Sequence, residues 1–213
     1  MNKVIFGTKN SYDDFGIILR PKTRPKPEPK YEYVSIPARN GDLDLTEWAG
    51  DVFYENLSFP LEFNVIDPMN TWDEKLREIT NYLHGKKMKV TFSDDAEYYY
   101  LGRITVNELS SDRNIGLLSL SCNFEPYKYK QEVTIKEYAV SAGNTYTFTN
   151  GRMKVVPTLT LSSAMTVSFN GNSYSLNAGT FKALEIEFTE GVNEITIISG
   201  SGTLKAEYQE GDL

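Results

Sequence analysis

Only one stretch of this 213-residue chain has the period of a helix, and strand-like alternation flanks it on both sides. Trp72, Leu76, Ile79 and Leu83 recur at helical spacing, with Asp73, Glu74, Arg77, Glu78 and Asn81 on the opposite side. Thr71-Trp-Asp-Glu74 matches a capping box, Asp73 and Arg77 stand at a favourable i,i+4 spacing, and Gly85 is placed as the stop. A helix over 71–84 is therefore expected. A chain with so little helix has to build its core from sheets.

The flanking segments say which faces those sheets bury. Leu57, Phe59, Leu61, Phe63 and Val65 alternate with Asn56, Ser58, Pro60, Glu62 and Asn64, a half-buried strand in which Pro60 predicts an edge or a bulge. After the helix, Met88, Val90 and Phe92 alternate with Lys87, Lys89 and Thr91. Ser93-Asp-Asp95 reads as a turn into a strand over 98–106. A further turn over 110–114 leads to a strand that puts Leu118, Leu120, Cys122 and Phe124 on one face. The first part of the chain thus reads as a sheet packed on one helix.

Near Pro126-Tyr-Lys-Tyr-Lys130 the helical period disappears and Thr, Ser, Gly and Asn become frequent. Asn170-Gly171 is a strong hairpin signal because both residues accept positive φ, and pairing outward from it sets Val167 opposite Tyr174 and Met165 opposite Leu176. Leu184, Ile186 and Phe188 alternate with Glu185 and Glu187, which predicts a strand. Glu190-Gly191 turns into a strand over 192–198, and Gly200-Ser-Gly202 into one over 203–208. Short strands at this spacing predict a β-sandwich. A boundary at 127–133 divides the chain into domains 1–129 and 130–213.

Composition narrows the function. At 40% hydrophobic and 24% charged residues, a packed core is expected rather than disorder. No apolar run approaches the roughly 18 residues of a membrane span, and the first residues lack the apolar stretch of a secretory signal. Synthesis and folding in a cytoplasm, without membrane insertion, are the expectation. One cysteine excludes an internal disulfide, and a net charge of −7 argues against nucleic acid as a specific partner. One segment departs from that balance. Arg20-Pro-Lys-Thr-Arg-Pro-Lys-Pro-Glu-Pro-Lys30 holds five cations and four prolines, so an extended path is expected, either a solvated linker or an arm lying on an acidic neighbour.

Catalytic chemistry finds little support. His84, the lone histidine, follows the helix directly before Gly85, where it suits the last carbonyls and the negative helix end. Asp94, Asp95 and Glu97 lack the spacing of a calcium loop, and Asp42 with Asp44, or Glu185 with Glu187, read as exposed carboxylates on strands. Cys122 stands in the apolar register of its strand, where a thiol is buried and inert. No cofactor and no enzymatic activity are expected. Tyr98, Tyr99 and Tyr100 put rings on both faces of one strand, which fits either an interface or a sheet buried on both sides.

Three fingerprints occur in order: Ile36-Pro-Ala-Arg-Asn-Gly-Asp-Leu-Asp-Leu-Thr46, Leu83-His-Gly-Lys-Lys-Met-Lys-Val90 and Glu97-Tyr-Tyr-Tyr-Leu-Gly-Arg103. Together they resemble the N-terminal module of the distal tail proteins of long, flexible-tailed bacteriophages. Pro126-Tyr-Lys-Tyr129 resembles that family's domain junction, and Glu207-Tyr-Gln-Glu-Gly-Asp-Leu213 its closing strand and tail. One departure is Ala38, where family members often carry glycine; a positive φ there would strain alanine.

The resemblance implies a mainly β protein. An N-terminal sheet or sandwich with one helix and a protruding hairpin would be followed by a C-terminal galectin-like or carbohydrate-module-like sandwich. It further implies a virion protein at the tail tip, made in the host bacterium, forming a six-membered ring. That ring would join the tail-tube protein to the tail-associated tip protein, with a receptor-binding protein as a further partner. A closed ring needs heterologous contacts, and the helix with the strand pair 86–106 supplies candidate faces through Trp72, Arg77, Lys87, Lys89, Tyr98, Tyr99, Tyr100 and Arg103. The alternative is an adhesin whose sandwich holds host polysaccharide on Tyr174, Phe181 and Tyr208, although Tyr174 is already accounted for by packing opposite Val167.

Overall fold

The computed structural model describes residues 3–21, 23–65, 68–112 and 115–213. The chain divides into two compact units, one of residues 1–128 with Leu213 and one of residues 129–212.

Alternation in the first unit becomes a curled antiparallel sheet. Its strands are β1 (Val4–Phe6), β2 (Lys9–Asn10), β3 (Ile17–Leu19), β6 (Leu57–Val65), β7 (Lys87–Phe92), β8 (Tyr98–Asp112) and β9 (Ile115–Lys130), in the order β2-β1-β7-β8-β9-β6-β3. The expected odd face of β6 is buried throughout and the even residues are not. Val90 and Phe92 of β7 and Leu118, Leu120, Cys122 and Phe124 of β9 join it in one core. The sheet curls far enough that Phe6 of β1 meets Phe63 of β6, ring centroids 6.0 Å apart. Pro60 lies beyond the reach of β3, which pairs only with residues 63–65, so its missing N–H disturbs the sheet where β6 is an edge. Helix α1 (Trp72–Leu83) closes the core with Trp72, Ile79 and Leu83 buried.

Two local expectations are corrected. No capping box forms: the Thr71 hydroxyl donates to the Pro68 carbonyl at 2.8 Å, because a 3₁₀ turn over Met69–Thr71 leads into the helix. The turn placed at 110–114 does not begin at 110, since β8 runs to Asp112; residues 113 and 114 lie outside the described residues. At the other end, Gly85 does stop the helix at φ +73. Within β8, Gly102 permits a close approach, since a Cβ there would sit 2.3 Å from the Asn123 carbonyl oxygen of β9.

Residues 30–56 leave this core. A two-stranded ribbon of β4 (Tyr33–Val34) and β5 (Leu43–Asp44) forms there, and not one residue of 30–56 is buried. Backbone bonds from Lys30 to Phe53 and from Glu55 to Glu28, both 2.8 Å, tie its root.

The second unit is the expected sandwich of two four-stranded sheets. One sheet runs β10 (Thr134–Ser141), β17 (Ser201–Tyr208), β12 (Thr158–Leu161), β15 (Gly179–Lys182). The other runs β11 (Thr145–Asn150), β16 (Gly191–Ser199), β13 (Met165–Phe169), β14 (Asn172–Leu176), and β18 (Gly211–Asp212) follows β17. Asn170 and Gly171 take φ +48 and +79, and the register sets Val167 against Tyr174 and Met165 against Leu176 as the sequence predicts. The strand expected over 184–188 is absent. The Ile186 N–H bonds the Ala183 carbonyl at 3.0 Å in a turn that turns Leu184 out to 76% exposure, while Ile186 and Phe188 still reach the core. Inward residues at period 2 arose there from a turn rather than a strand.

Candidate assembly surface

The sequence-nominated surface separates into buried and accessible parts. Trp72 and Tyr100 belong to the core, Tyr100 meeting Phe124 at 5.3 Å and Phe92 edge-on at 5.7 Å. Tyr99 points to the other face of β8 yet is only 6% exposed, capped by the Lys89 ammonium 4.2 Å from its ring centroid. All three side chains pack within this unit and expose little of their surface. Tyr98 is half-buried under the Lys128 ammonium, 4.5 Å away. Arg77, Lys87, Lys89 and Arg103 remain exposed.

Lys87 and Arg103 come together for a structural reason. On β7 the inward positions are Met88, Val90 and Phe92, so Lys87 and Lys89 must face outward. The β7–β8 register then sets Arg103 directly across from Lys87. Lys87 and Arg103, with Asn56, Ser58, Asn123 and Glu125, line a shallow groove of about 360 Å³ on the outside of the sheet. Glu125 accepts from the Lys87 ammonium, and the Arg103 guanidinium donates to the Gly85 carbonyl.

His84 keeps a structural role but with another partner than expected. Its Nδ1 accepts the Val106 N–H at 3.2 Å, fastening the helix end to β8 instead of bonding helix carbonyls. Cys122 is buried as expected, and burial pushes its thiol up to about 12, where no thiolate exists at neutral pH. Among the described residues no group of three or more His, Cys, Asp and Glu side chains is placed to hold a metal ion.

The proline-rich segment is an arm, and the acidic neighbour is its own unit. The Arg24 guanidinium straddles Asp94 with bonds of 2.8 and 2.9 Å and lies 4.5 Å from the Phe92 ring. Its hydrogen bond holds the Asp94 carboxyl below the ordinary carboxylate value.

Sequence reasoning missed the ribbon as a surface. Tyr31, Tyr33, Val34, Ile36, Trp48 and Phe53 are all exposed, Trp48 at 78%, and Tyr31 stacks on Tyr33 with centroids 5.9 Å apart. The available signal was Trp48 itself, a large apolar residue with only Thr46 and Gly50 at strand spacing on either side. Large apolar side chains clustered in the open mark contact surfaces.

On the sandwich the nominated sugar platform is only partly open to solvent. Tyr208 is 3% exposed and its hydroxyl donates to the Thr149 carbonyl at 2.6 Å, while Tyr174 and Phe181 pack half-buried against the core.

No protein-family model and no curated protein matches the sequence. Among solved structures, the chain is similar to the SPP1 Dit (gp 19.1) protein, described as a paradigm of the hub adsorption apparatus in phages that infect Gram-positive bacteria. The likeness has a TM-score of 0.70 at 10% identity and covers 98% of this chain and 99% of that one, so the two share a fold across both units.

Proposed function

We propose that this chain is a structural protein of a bacteriophage tail tip, acting as a six-membered ring that joins the tail tube to the tail-associated tip protein. The observation that carries the proposal is the ribbon over 30–56, which exposes aromatic side chains and buries none of its residues. A cytoplasmic monomer gains nothing from displaying Trp48 to water, whereas a subunit covered by its neighbours does. The fold shared with SPP1 Dit supports the same reading, as do the fingerprints along 36–103. A receptor-binding protein fits as a further partner, with the assembled particle located at the virion tail tip.

The alternative adhesin reading receives no comparable support, since Tyr174, Phe181 and Tyr208 are engaged in the sandwich core. Native mass spectrometry of the full chain, alone and with tail-tube protein, tests the proposal. Six-subunit species are expected, and a chain that stays monomeric under both conditions would remove the ring.

A further inference from the structure

Asn40, Asn150 and Asn170 are each followed by glycine, and the fold sets them in three different surroundings. The pairing matters chemically. The backbone nitrogen of the following residue can attack the asparagine side-chain carbonyl carbon, and glycine leaves that approach unhindered because it has no Cβ. Asparagine is for this reason among the less durable residues. The reaction needs a side-chain amide and a following N–H that are both unengaged, and a backbone able to rotate until they meet.

Asn150 meets none of these conditions. It is 4% exposed, and its Nδ2 donates to the Met153 carbonyl at 2.7 Å and the Phe188 carbonyl at 3.3 Å. Asn170 is exposed, but it holds φ +48 in a two-residue turn whose flanks pair Phe169 with Asn172 and Ser168 with Ser173. Rotation there has to open the hairpin. Asn40 has neither restraint. It is exposed, and among the described residues no hydrogen bond engages its side chain or the Gly41 N–H. The ribbon behind it is held by two residue pairs, Tyr33 with Asp44 and Val34 with Leu43.

We propose that Asn40 is a site of spontaneous deamidation in the free chain and that the fold spares the other two asparagines. The Gly41 nitrogen bonds to Asn40 Cγ, the Cγ–Nδ2 bond breaks, and the amide nitrogen leaves as ammonia with the Gly41 proton. The product is a cyclic imide. Water then opens that ring at either carbonyl. One opening leaves aspartate, and the other leaves isoaspartate, in which the chain runs through the former side chain. Both add a carboxylate to the ribbon, and isoaspartate also inserts a methylene into the backbone next to Gly41, at φ +75. An isoaspartyl carboxylate is the substrate of methyltransferases that esterify it with the methyl group of S-adenosylmethionine, so an enzyme of that class is the partner this site would take. The proposal stands on local exposure and does not depend on the ring reading.

The test ages the full-length chain at neutral pH and follows each asparagine by peptide-mapping mass spectrometry. Labelled methyl transfer by an isoaspartyl methyltransferase gives a second readout. Conversion at Asn40 should run at least about tenfold ahead of Asn170, whose hairpin has to open first, while Asn150 stays an amide. Asn40→Gln, whose longer side chain closes a less favourable ring, should remove the early methyl signal and keep the wild-type circular dichroism. In strong denaturant the three sites should convert at similar rates, which separates the fold from the local sequence. Native Asn170 or Asn150 converting as fast as Asn40 overturns the proposal. So does an Asn40 that stays intact in the native chain, whether or not it converts in denaturant. A ranking that persists unchanged in denaturant also overturns it, because the fold would then spare nothing.

Discussion

At the scale of single residues, the Arg24–Asp94 clamp explains how a proline-rich arm is held without secondary structure. Four prolines restrict the unfolded chain, so little further ordering entropy opposes its docking. The guanidinium then adds a bidentate contact and a face against Phe92. The folded-state pKa of Asp94 is depressed, so its contribution is present above the unfolded carboxylate value and is lost as pH falls through the folded one. In carboxyl-detected NMR, Asp94 should titrate below the ordinary 3.8, and Arg24→Ala should move it back toward that value. An unchanged titration curve in Arg24→Ala would mean that another group holds the carboxylate. This clamp was half legible. The sequence showed a basic arm and an acidic turn, but seventy residues separate them, and nothing local states that they meet.

At the scale of elements, legibility followed periodicity. The 57–65 strand, the helix face and the Asn170-Gly171 register could all be read because each is written in neighbouring residues. The 184–188 segment misled because Ile186 and Phe188 point inward from a turn at the same spacing a strand would give. The ribbon was hidden for the converse reason. Exposed aromatics on β4 look identical in sequence to buried ones, and only the packing of other elements decides which they are. Its tip carries a measurable strain. Arg39 N–H bonds the Ile36 carbonyl at 3.1 Å around Pro37 and Ala38, and Ala38 takes φ +63. Proline followed by a positive-φ residue is the pattern of a type II turn, where glycine fits without penalty. The sequence-level expectation that alanine would be strained here is therefore met, and the turn survives with the strain. Ala38→Gly should relieve about 1 kcal/mol, slowing hydrogen exchange of the Arg39 amide about fivefold. Faster exchange would show that glycine's extra freedom outweighs the relief.

At the scale of the whole molecule, the two hydrophobic clusters share no residue: one is drawn from positions 4–124 and the other from 140–208. Each unit therefore has what a domain needs to fold on its own. Tyr208 offers a probe for the second. Its ring meets Phe188 edge-on at 5.2 Å and its hydroxyl reaches the Thr149 carbonyl, so burial pushes its pKa up to about 12 from an ordinary 10. A raised folded-state pKa means the full contribution is present below the unfolded value and disappears as pH rises through the folded one. Residues 129–213 expressed alone should unfold cooperatively, with stability flat on this account up to about pH 10 and then falling by on the order of 3 kcal/mol once Tyr208 would ionise. Tyr208→Phe keeps the ring and loses the hydroxyl. It should be less stable by about 1 kcal/mol at neutral pH yet lose less between pH 10 and 12. Denaturant titrations at several pH values check both. Equal alkaline losses in the two proteins would place the sensitive group elsewhere, and a non-cooperative transition would show that this core does not stand alone.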